Sequence, residues 1–237
     1  MIVAVIPTYN ERSNIARLLG RRFRALPDIH VLFVDDNSPD GTGEEILNLR
    51  HTYPGITLLS RPKKQGLGSA YREGLTLALE NVSWRAIVMM DADLSHEPEA
   101  LPAMLRELAR ADVVIGSRYV RGGNVKNWSW LRQALSRFGN WYARMILRES
   151  IRDLTAGFYA IRREALDAIT IPGIRSEGYA FQIELKLAFF RKNLNIKEVP
   201  ITFFERTAGA SKLGFSTIWE ALVLPWKLRL AKSLLRS

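Results

Sequence analysis

Residues 85–98 read Arg85-Ala86-Ile87-Val88-Met89-Met90-Asp91-Ala92-Asp93-Leu94-Ser95-His96-Glu97-Pro98. The apolar run from Ala86 to Met90 has the length and density of a strand buried on both faces, as in parallel sheets. It ends in two carboxylates, Asp91 and Asp93. Residues i and i+2 of an extended chain point to the same side, so the two charges stand together at a strand end. Carboxylates so placed repel each other unless a cation lies between or beside them. Hard divalent ions take oxygen ligands and usually share them with phosphates. The stretch therefore suggests a site for a metal carrying a phosphorylated ligand. The competing reading is a solvated strand end with no ligand.

Outward from this strand the same alternation repeats. Apolar strands are expected at Ile2 to Ile6, Val31 to Val34, Ile56 to Leu59 and Val113 to Ile115. Between them, helical spacing of apolar residues predicts helices at Ser13 to Leu26, Glu44 to Arg50, Ser69 to Glu80 and Glu97 to Arg110. Asn37-Ser-Pro-Asp-Gly-Thr42 is a turn, since these residue types favour turn geometry. Repeated β-α units of this length mean an α/β fold: a mostly parallel sheet with helices on both faces. Ligands of such sheets bind beyond the carboxyl ends of the strands. That rule gathers Pro7-Thr-Tyr9-Asn-Glu11, Asp35-Asp36, Asp91-Ala92-Asp93 and Gly116-Ser-Arg118 at one rim, and the convergence of distant acidic groups favours the metal reading.

Each rim segment has two readings. Pro7 to Glu11 is either a turn that caps a helix, or a place where Tyr9 stacks on a base and Glu11 accepts its hydrogen bonds. Arg61-Pro-Lys-Lys-Gln-Gly-Leu-Gly-Ser-Ala-Tyr71 is either a solvated basic loop or a close approach to a diphosphate. Arg118 either binds a phosphate or forms a salt bridge with a rim aspartate.

Composition narrows the classes. The chain has 237 residues, 47% of them hydrophobic, enough for one large domain. With no cysteine, disulfides, thiolate zinc sites and cysteine nucleophiles are excluded. The three histidines, His30, His51 and His96, leave little room for a Ser-His-Asp triad. Neither G-x-G-x-x-G after a strand nor a P-loop occurs. No apolar run reaches the ~18 residues of a membrane span, and the N-terminus reads as a first strand and not a signal peptide. The net charge of +10 favours anionic partners.

The positive charge gathers in the second half. Residues 122–152 mix Trp128, Trp130, Phe138, Trp141 and Tyr142 with six lysines and arginines and one acid, Glu149. Leu131, Leu135, Phe138, Tyr142 and Met145 have the spacing of an amphipathic helix. Phe215, Ile218, Trp219, Leu222, Val223 and Trp226 repeat it near the C-terminus, where Pro225 is expected to kink or divide the helix. Packing on the core or dimerisation would explain these faces. Tryptophan and tyrosine mixed with arginine also match a membrane interface, the favoured reading.

Pro7-Thr-Tyr-Asn-Glu11, Val34-Asp-Asp36, Asn37-Ser-Pro-Asp-Gly-Thr42 and Met90-Asp-Ala-Asp-Leu-Ser-His96 together resemble the inverting family 2 glycosyltransferases with a GT-A fold. Gly66-Leu-Gly-Ser-Ala-Tyr71, Gly116-Ser-Arg-Tyr-Val120, Asp153-Leu-Thr-Ala-Gly-Phe158, Glu177-Gly-Tyr-Ala-Phe-Gln182 and Arg206-x4-Ser211-Lys-Leu213 narrow the resemblance to the dolichol-phosphate (polyprenol-phosphate) mannose synthases. The resemblance runs from Ile2 to about Leu213 and divides the chain into a GT-A domain, 1–213, and an amphipathic basic C-terminal helix, 214–237. It implies transfer of mannose from GDP-mannose to a polyprenyl phosphate with inversion. It implies donor contacts at Pro7, Tyr9, Glu11, Val34, Asp36, Asp91, Ala92, Asp93, Arg206 and Lys212. Mg²⁺ or Mn²⁺ would sit at Asp91 and Asp93, and the acceptor phosphate at Arg118, Arg132 and Ser136. Asp93 and Arg118 would be the catalytic pair. The implied setting is peripheral, on the cytoplasmic face of a membrane, with the membrane surface and an anchoring subunit as candidate partners and no nucleic acid.

Two departures stand out. Some relatives carry glutamine two residues after the second aspartate, where this chain has Ser95. Gln182 is followed by Ile-Glu-Leu and not by the x-x-R-W of processive synthases, so a single transfer is expected. The rivals are a polyprenyl-phosphate glucosyltransferase using UDP-glucose and a non-catalytic nucleic-acid-binding protein. The second explains neither the acidic rim nor the absence of a recognised nucleic-acid module.

Overall fold

A computed structural model describes residues 1–205 and 223–230. The N-terminal half runs as expected: β1 (Ile2–Thr8), α1 (Arg12–Ala25), β2 (Ile29–Asp35), α2 (Thr42–Leu49), β3 (Ile56–Ser60), α3 (Leu67–Glu80) and β4 (Ala86–Met89). Then come α4 (Leu101–Glu107), β5 (Val113–Ser117), β6 (Asn124–Lys126), α5 (Trp130–Leu147), β7 (Tyr159–Arg162), α6 (Arg163–Asp167), α7 (Gly178–Arg191), β8 (Ile196–Pro200) and β9 (Thr202–Phe204). Seven strands form one sheet in the order β3-β2-β1-β4-β7-β5-β8, and β6 pairs separately with β9.

The alternation of a strand sorts its side chains between two cores. Val3 and Val5 of β1 join Tyr71, Leu75 and Phe181 of α3 and α7 on one face. Ala4 and Ile6 join Ile15, Leu18 and Met104 of α1 and α4 on the other. The apolar runs quoted above are continuous because both faces are covered.

One strand breaks the parallel pattern. β7 runs antiparallel to β4 and β5, with Met89 opposite Tyr159 and Ile115 also opposite Tyr159. The other pairs of this sheet are parallel. Because β7 is reversed, the chain enters it at the rim where its neighbours end. Residues 153–158 are thereby delivered to the ligand-binding edge.

The helix expected over Glu97 to Arg110 is shorter. A 3-10 turn, Pro98–Ala100, leads into α4. After Glu107 the bonds tighten, with Ala109 N donating to Arg106 O and Arg110 N to Glu107 O. Pro98 and Pro102 each lack an N–H, and both fall in first turns, where that group has no intrahelical acceptor.

α3 lies so close to the sheet that it needs a glycine. A methyl group at Gly74 would sit 2.6 Å from Val5 Cγ1 and 2.7 Å from Val34 Cγ2. Gly74→Ala is expected to cost about 1–3 kcal/mol by overpacking, measured by chemical denaturation.

Residues 223–230 are helical and lie along α5. Trp226 Nε1 donates to Tyr142 Oη at 3.0 Å, and Arg229 Nη1 to the Ile146 carbonyl at 2.9 Å. Pro225 falls within this helical segment. Arg206, Lys212, the expected boundary at 213, the first part of the expected C-terminal helix and residues 231–237 lie outside the described residues. Among the described residues no helix is long and apolar enough to cross a membrane.

Candidate active site

Just past the end of β4, Asp93 is almost fully buried, and its Oδ1 accepts the Ser95 N–H at 3.0 Å. Asp91 keeps about a quarter of its side chain exposed. Leu94 has φ 63°, a left-handed conformation that folds the chain back on itself. His96 thereby returns to Asp91, whose backbone N–H donates to its Nδ1 at 3.1 Å. With Nδ1 accepting, the imidazole proton belongs on Nε2. The ring is wedged between Phe158, stacked at 5.0 Å, and the edge of Phe203 at 5.5 Å. Tyr71, fully buried on α3, donates to Asp91 Oδ1 at 3.4 Å. Burial and the neighbouring Asp91 charge push the Tyr71 hydroxyl well above its ordinary pKa, so it stays a neutral donor.

Among the described residues no three acidic or histidine side chains cluster as a complete metal cage. The residues fit an ion that takes two carboxylates from protein and completes its shell with phosphate oxygens and water, the habit of Mg²⁺. A further polar atom stands ready there: Ser95 Oγ is buried without a hydrogen-bond partner next to Asp93.

The neighbouring strand ends form a tied set of loops. Asp35 accepts from Thr8 Oγ1 at 2.8 Å and from Ser38 Oγ at 2.6 Å. Asn10 N donates to Ser38 Oγ and Glu11 N to Thr42 Oγ1, both at 3.0 Å. Glu11 in turn accepts from Asn14 Nδ2 at 2.6 Å. The Asp36 carboxylate is taken up by the basic loop: it receives Arg61 Nη1 at 2.7 Å, Gln65 N at 2.9 Å and Gly66 N at 2.9 Å. Val34 is a core residue facing Gly74, set back from the rim surface. Lys64, held between these anchors, places its ammonium 3.6 Å from the centre of the Tyr9 ring. The start of α3 is not open to a diphosphate as it stands. Its Gly68 and Ser69 amides donate to Glu177 Oε2 at 2.8 and 3.2 Å.

Arg118 leaves the end of β5 and meets Asp153, not one of the rim aspartates weighed from sequence. Nε donates to Asp153 Oδ2 at 2.8 Å and Nη2 to Oδ1 at 2.6 Å, while Nη2 also reaches Thr155 Oγ1 at 2.7 Å. Burial would lower the Arg118 pKa, but the Asp153 charge and hydrogen bonds outweigh it and hold the guanidinium above its ordinary value. Burial would raise Asp153, but Arg118 holds it below the usual carboxylate range. The pair is therefore ionised. Arg118 Nη1 has no hydrogen-bond acceptor among the described residues and remains free for an anion.

The other two expected phosphate contacts stand beside it. Arg132 lies 4.0 Å over Trp128, whose ring centre is also 5.8 Å from the Arg118 guanidinium. Ser136 Oγ accepts from Tyr119 Oη at 2.6 Å. Phe203 joins the two halves of the rim, since it contacts His96 on one side and lies 5.3 Å from the Arg118 guanidinium on the other.

The segment 152–156 is fastened from several elements. Asn140 of α5 accepts Leu154 N at 2.8 Å, and Glu198 of β8 accepts Arg152 N at 2.8 Å and Asp153 N at 3.0 Å. Lys186 of α7, fully buried, donates to the Ala156 carbonyl at 2.8 Å and to Tyr159 Oη at 2.5 Å. Burial lowers its pKa to about 7. Asn140 and Lys186 carried no signal in the sequence. His96, Asp153, Glu177 and Gln182 lay inside quoted motifs without an assigned role.

The glycosyl transferase family 2 model matches residues 3–170. Polyprenol monophosphomannose synthase of Mycolicibacterium smegmatis is 45% identical over 231 residues, 96% of this chain and 87% of that protein. Undecaprenyl-phosphate mannosyltransferase of Micrococcus luteus is 43% identical, covering 94% of this chain and 91% of that protein. Dolichol-phosphate mannosyltransferase of Pyrococcus furiosus is 37% identical over 93% of this chain and 61% of that protein. Among solved structures, glucosyl-3-phosphoglycerate synthase of Mycobacterium tuberculosis, crystallised with Mn²⁺, UDP-glucose and phosphoglyceric acid, superposes with a TM-score of 0.69 at 18% identity. That match covers 97% of this chain and 79% of the other and shows the shared fold.

Proposed function

The chain belongs to glycosyl transferase family 2, and from that premise we propose that it transfers mannose from GDP-mannose to a polyprenyl phosphate with inversion at the anomeric carbon. One observation carries the reading: Phe203 contacts both His96, which accepts the Asp91 amide, and the Arg118 guanidinium, so the two-carboxylate strand end and the anion-ready arginine share one rim. The first suits a sugar diphosphate with its metal, the second a phosphate acceptor. The names and identities of the three relatives support mannose and a polyprenyl phosphate.

In this reading Asp91 and Asp93 would hold Mg²⁺ or Mn²⁺, which would supply charge neutralisation to the leaving diphosphate. Tyr71 and His96 orient Asp91. Tyr9 and Glu11 take the base, with Pro7 and Val34 backing the pocket and Asp36 shaping it through the basic loop. Arg118 Nη1, Arg132 and Ser136 fix the acceptor phosphate for in-line attack. That phosphate oxygen is already anionic near neutral pH, so no strong general base is required. Arg132 now pairs with Glu205 at 2.6 Å, immediately before Arg206. Opening that pair would release Arg132 to the acceptor, and Arg206 and Lys212 would supply further donor contacts.

The acceptor's lipid calls for a membrane surface. α5 exposes Trp130, Leu131, Leu135, Phe138, Trp141 and Met145, and the helical segment beside it adds Trp226 and Leu230. Exposed Arg137 and Arg148 flank this apolar strip, as on helices that lie in a bilayer interface beside anionic headgroups. We place the enzyme peripherally on the cytoplasmic face, by this strip alone or with an anchoring subunit. Phe138→Ser with Trp141→Ser, both already half-exposed, should lower thermal stability only modestly. Liposome co-sedimentation should weaken about tenfold for the two lost side chains.

The donor is tested by incubating the protein with Mn²⁺, a polyprenyl phosphate and labelled GDP-mannose or UDP-glucose, then extracting lipid. Label is expected in lipid from GDP-mannose. Label from UDP-glucose alone would overturn the donor, and label from neither would overturn the activity.

A further inference from the structure

Gln182 is a buried side chain on α7 whose amide oxygen finds no partner among the described residues. It is 3% exposed, and its Oε1 is buried without a hydrogen-bond partner. Buried amides nearly always find partners, and one left unpaired costs the desolvation of its polar atoms. A ligand that completes the amide would account for that cost.

The position fits such a ligand. Gly157 precedes β7, and β7 pairs with β4 so that Met89 faces Tyr159. Gly157 comes two residues before Tyr159 on the chain, and Asp91 two residues after Met89. A methyl group built on Gly157 would lie 3.2 Å from Gln182 Nε2 and 3.8 Å from His96 Cε1. The glycine therefore keeps a space open between the Gln182 amide and the histidine that accepts the Asp91 amide. The histidine lies 4.0 Å from the Asp91 carboxylate and, through Phe203, leads to Arg118. The group passing between diphosphate and acceptor is the hexose.

We propose that Gln182 is the sugar-selecting residue, its amide exchanging hydrogen bonds with a hydroxyl of the transferred hexose above Gly157. The inference rests on the donor reading above and adds the part of the site that recognises the sugar. A carbonyl and an NH₂ on one side chain suit a hydroxyl, which both donates and accepts. A site built to hydrogen-bond a hydroxyl also discriminates against sugars that present it differently.

The test uses the full chain with GDP, GDP-mannose and a polyprenyl phosphate. Gln182→Leu removes the amide and keeps much of the volume. It should unfold no more readily than wild type, because a buried amide with an unpaired oxygen is replaced by an apolar group. GDP should inhibit it as strongly as wild type, while kcat/KM for GDP-mannose falls roughly tenfold to a hundredfold, the scale of one lost hydrogen bond in a desolvated site. Gly157→Ala, which fills the space and leaves the amide, should show the same split. Wild-type kinetics in both variants would overturn the inference, as would equal losses of GDP inhibition and turnover. Failure of wild type itself to use GDP-mannose would instead count against the donor reading.

Discussion

Asp93→Asn is expected to abolish measurable transfer while leaving the fold in place. Asparagine keeps an Oδ1 that can accept the Ser95 N–H, the bond Asp93 makes at 3.0 Å, so the turn after β4 has no reason to rearrange. What disappears is the negative charge. With only Asp91 left at this strand end, the site offers one carboxylate to a divalent ion, and affinity for a metal-diphosphate pair should fall with it. The loss of one preorganised charge-stabilising group costs roughly a hundredfold to a thousandfold in turnover, and a metal ligand belongs at or beyond the upper end. Circular dichroism and thermal melting would show the wild-type fold, and lipid-extracted product would fall to background. Normal turnover by this variant would refute the role of Asp93.

The second large effect is expected at Asp153→Ala, and it falls on stability. Asp153 is fully buried and holds Arg118 through both carboxylate oxygens. Its removal strands a buried guanidinium and also removes the charge that opposes deprotonation of Lys186. Breaking a buried pair from one side costs about 3–5 kcal/mol. Urea denaturation should show that loss, and activity should fall even where the protein remains folded, because Arg118 no longer has a fixed direction. A loss below about 1 kcal/mol, the scale of exposed pairs, would mean that the pair is not the buried anchor described.

The sequence carried the frame of the site well. Strand ends at Thr8, Asp35, Met89 and Ser117 fall within two residues of where the apolar runs stop, because burial on both faces keeps most strand positions apolar. Asp91 and Asp93 stand where the strand-end rule sets them. Less legible was what each charge does. Asp36 reads like a ligand contact, yet its carboxylate fastens Gln65 and Gly66, some thirty residues away. Arg118 reads as a phosphate ligand or the partner of a rim aspartate, yet its partner is Asp153, 35 residues on, delivered by a strand that runs against the sheet. The four residues of β7 carry no mark of direction. Asn140 and Lys186 sit on helices where a polar residue normally faces water, and only the packing of α5 and α7 turns them inward. Pairings between distant elements are tertiary facts, and local periodicity does not encode them.

The central claim is that one rim moves mannose from a nucleotide donor to a lipid phosphate. Mass spectrometry of the extracted lipid, after the protein is incubated with Mn²⁺, GDP-mannose and a polyprenyl phosphate, tests it most directly. The expected product is the acceptor carrying a single added hexose, formed only when protein, donor and divalent metal are all present. Acceptor recovered unmodified by active, folded protein, or extended by a chain of hexoses, would contradict it.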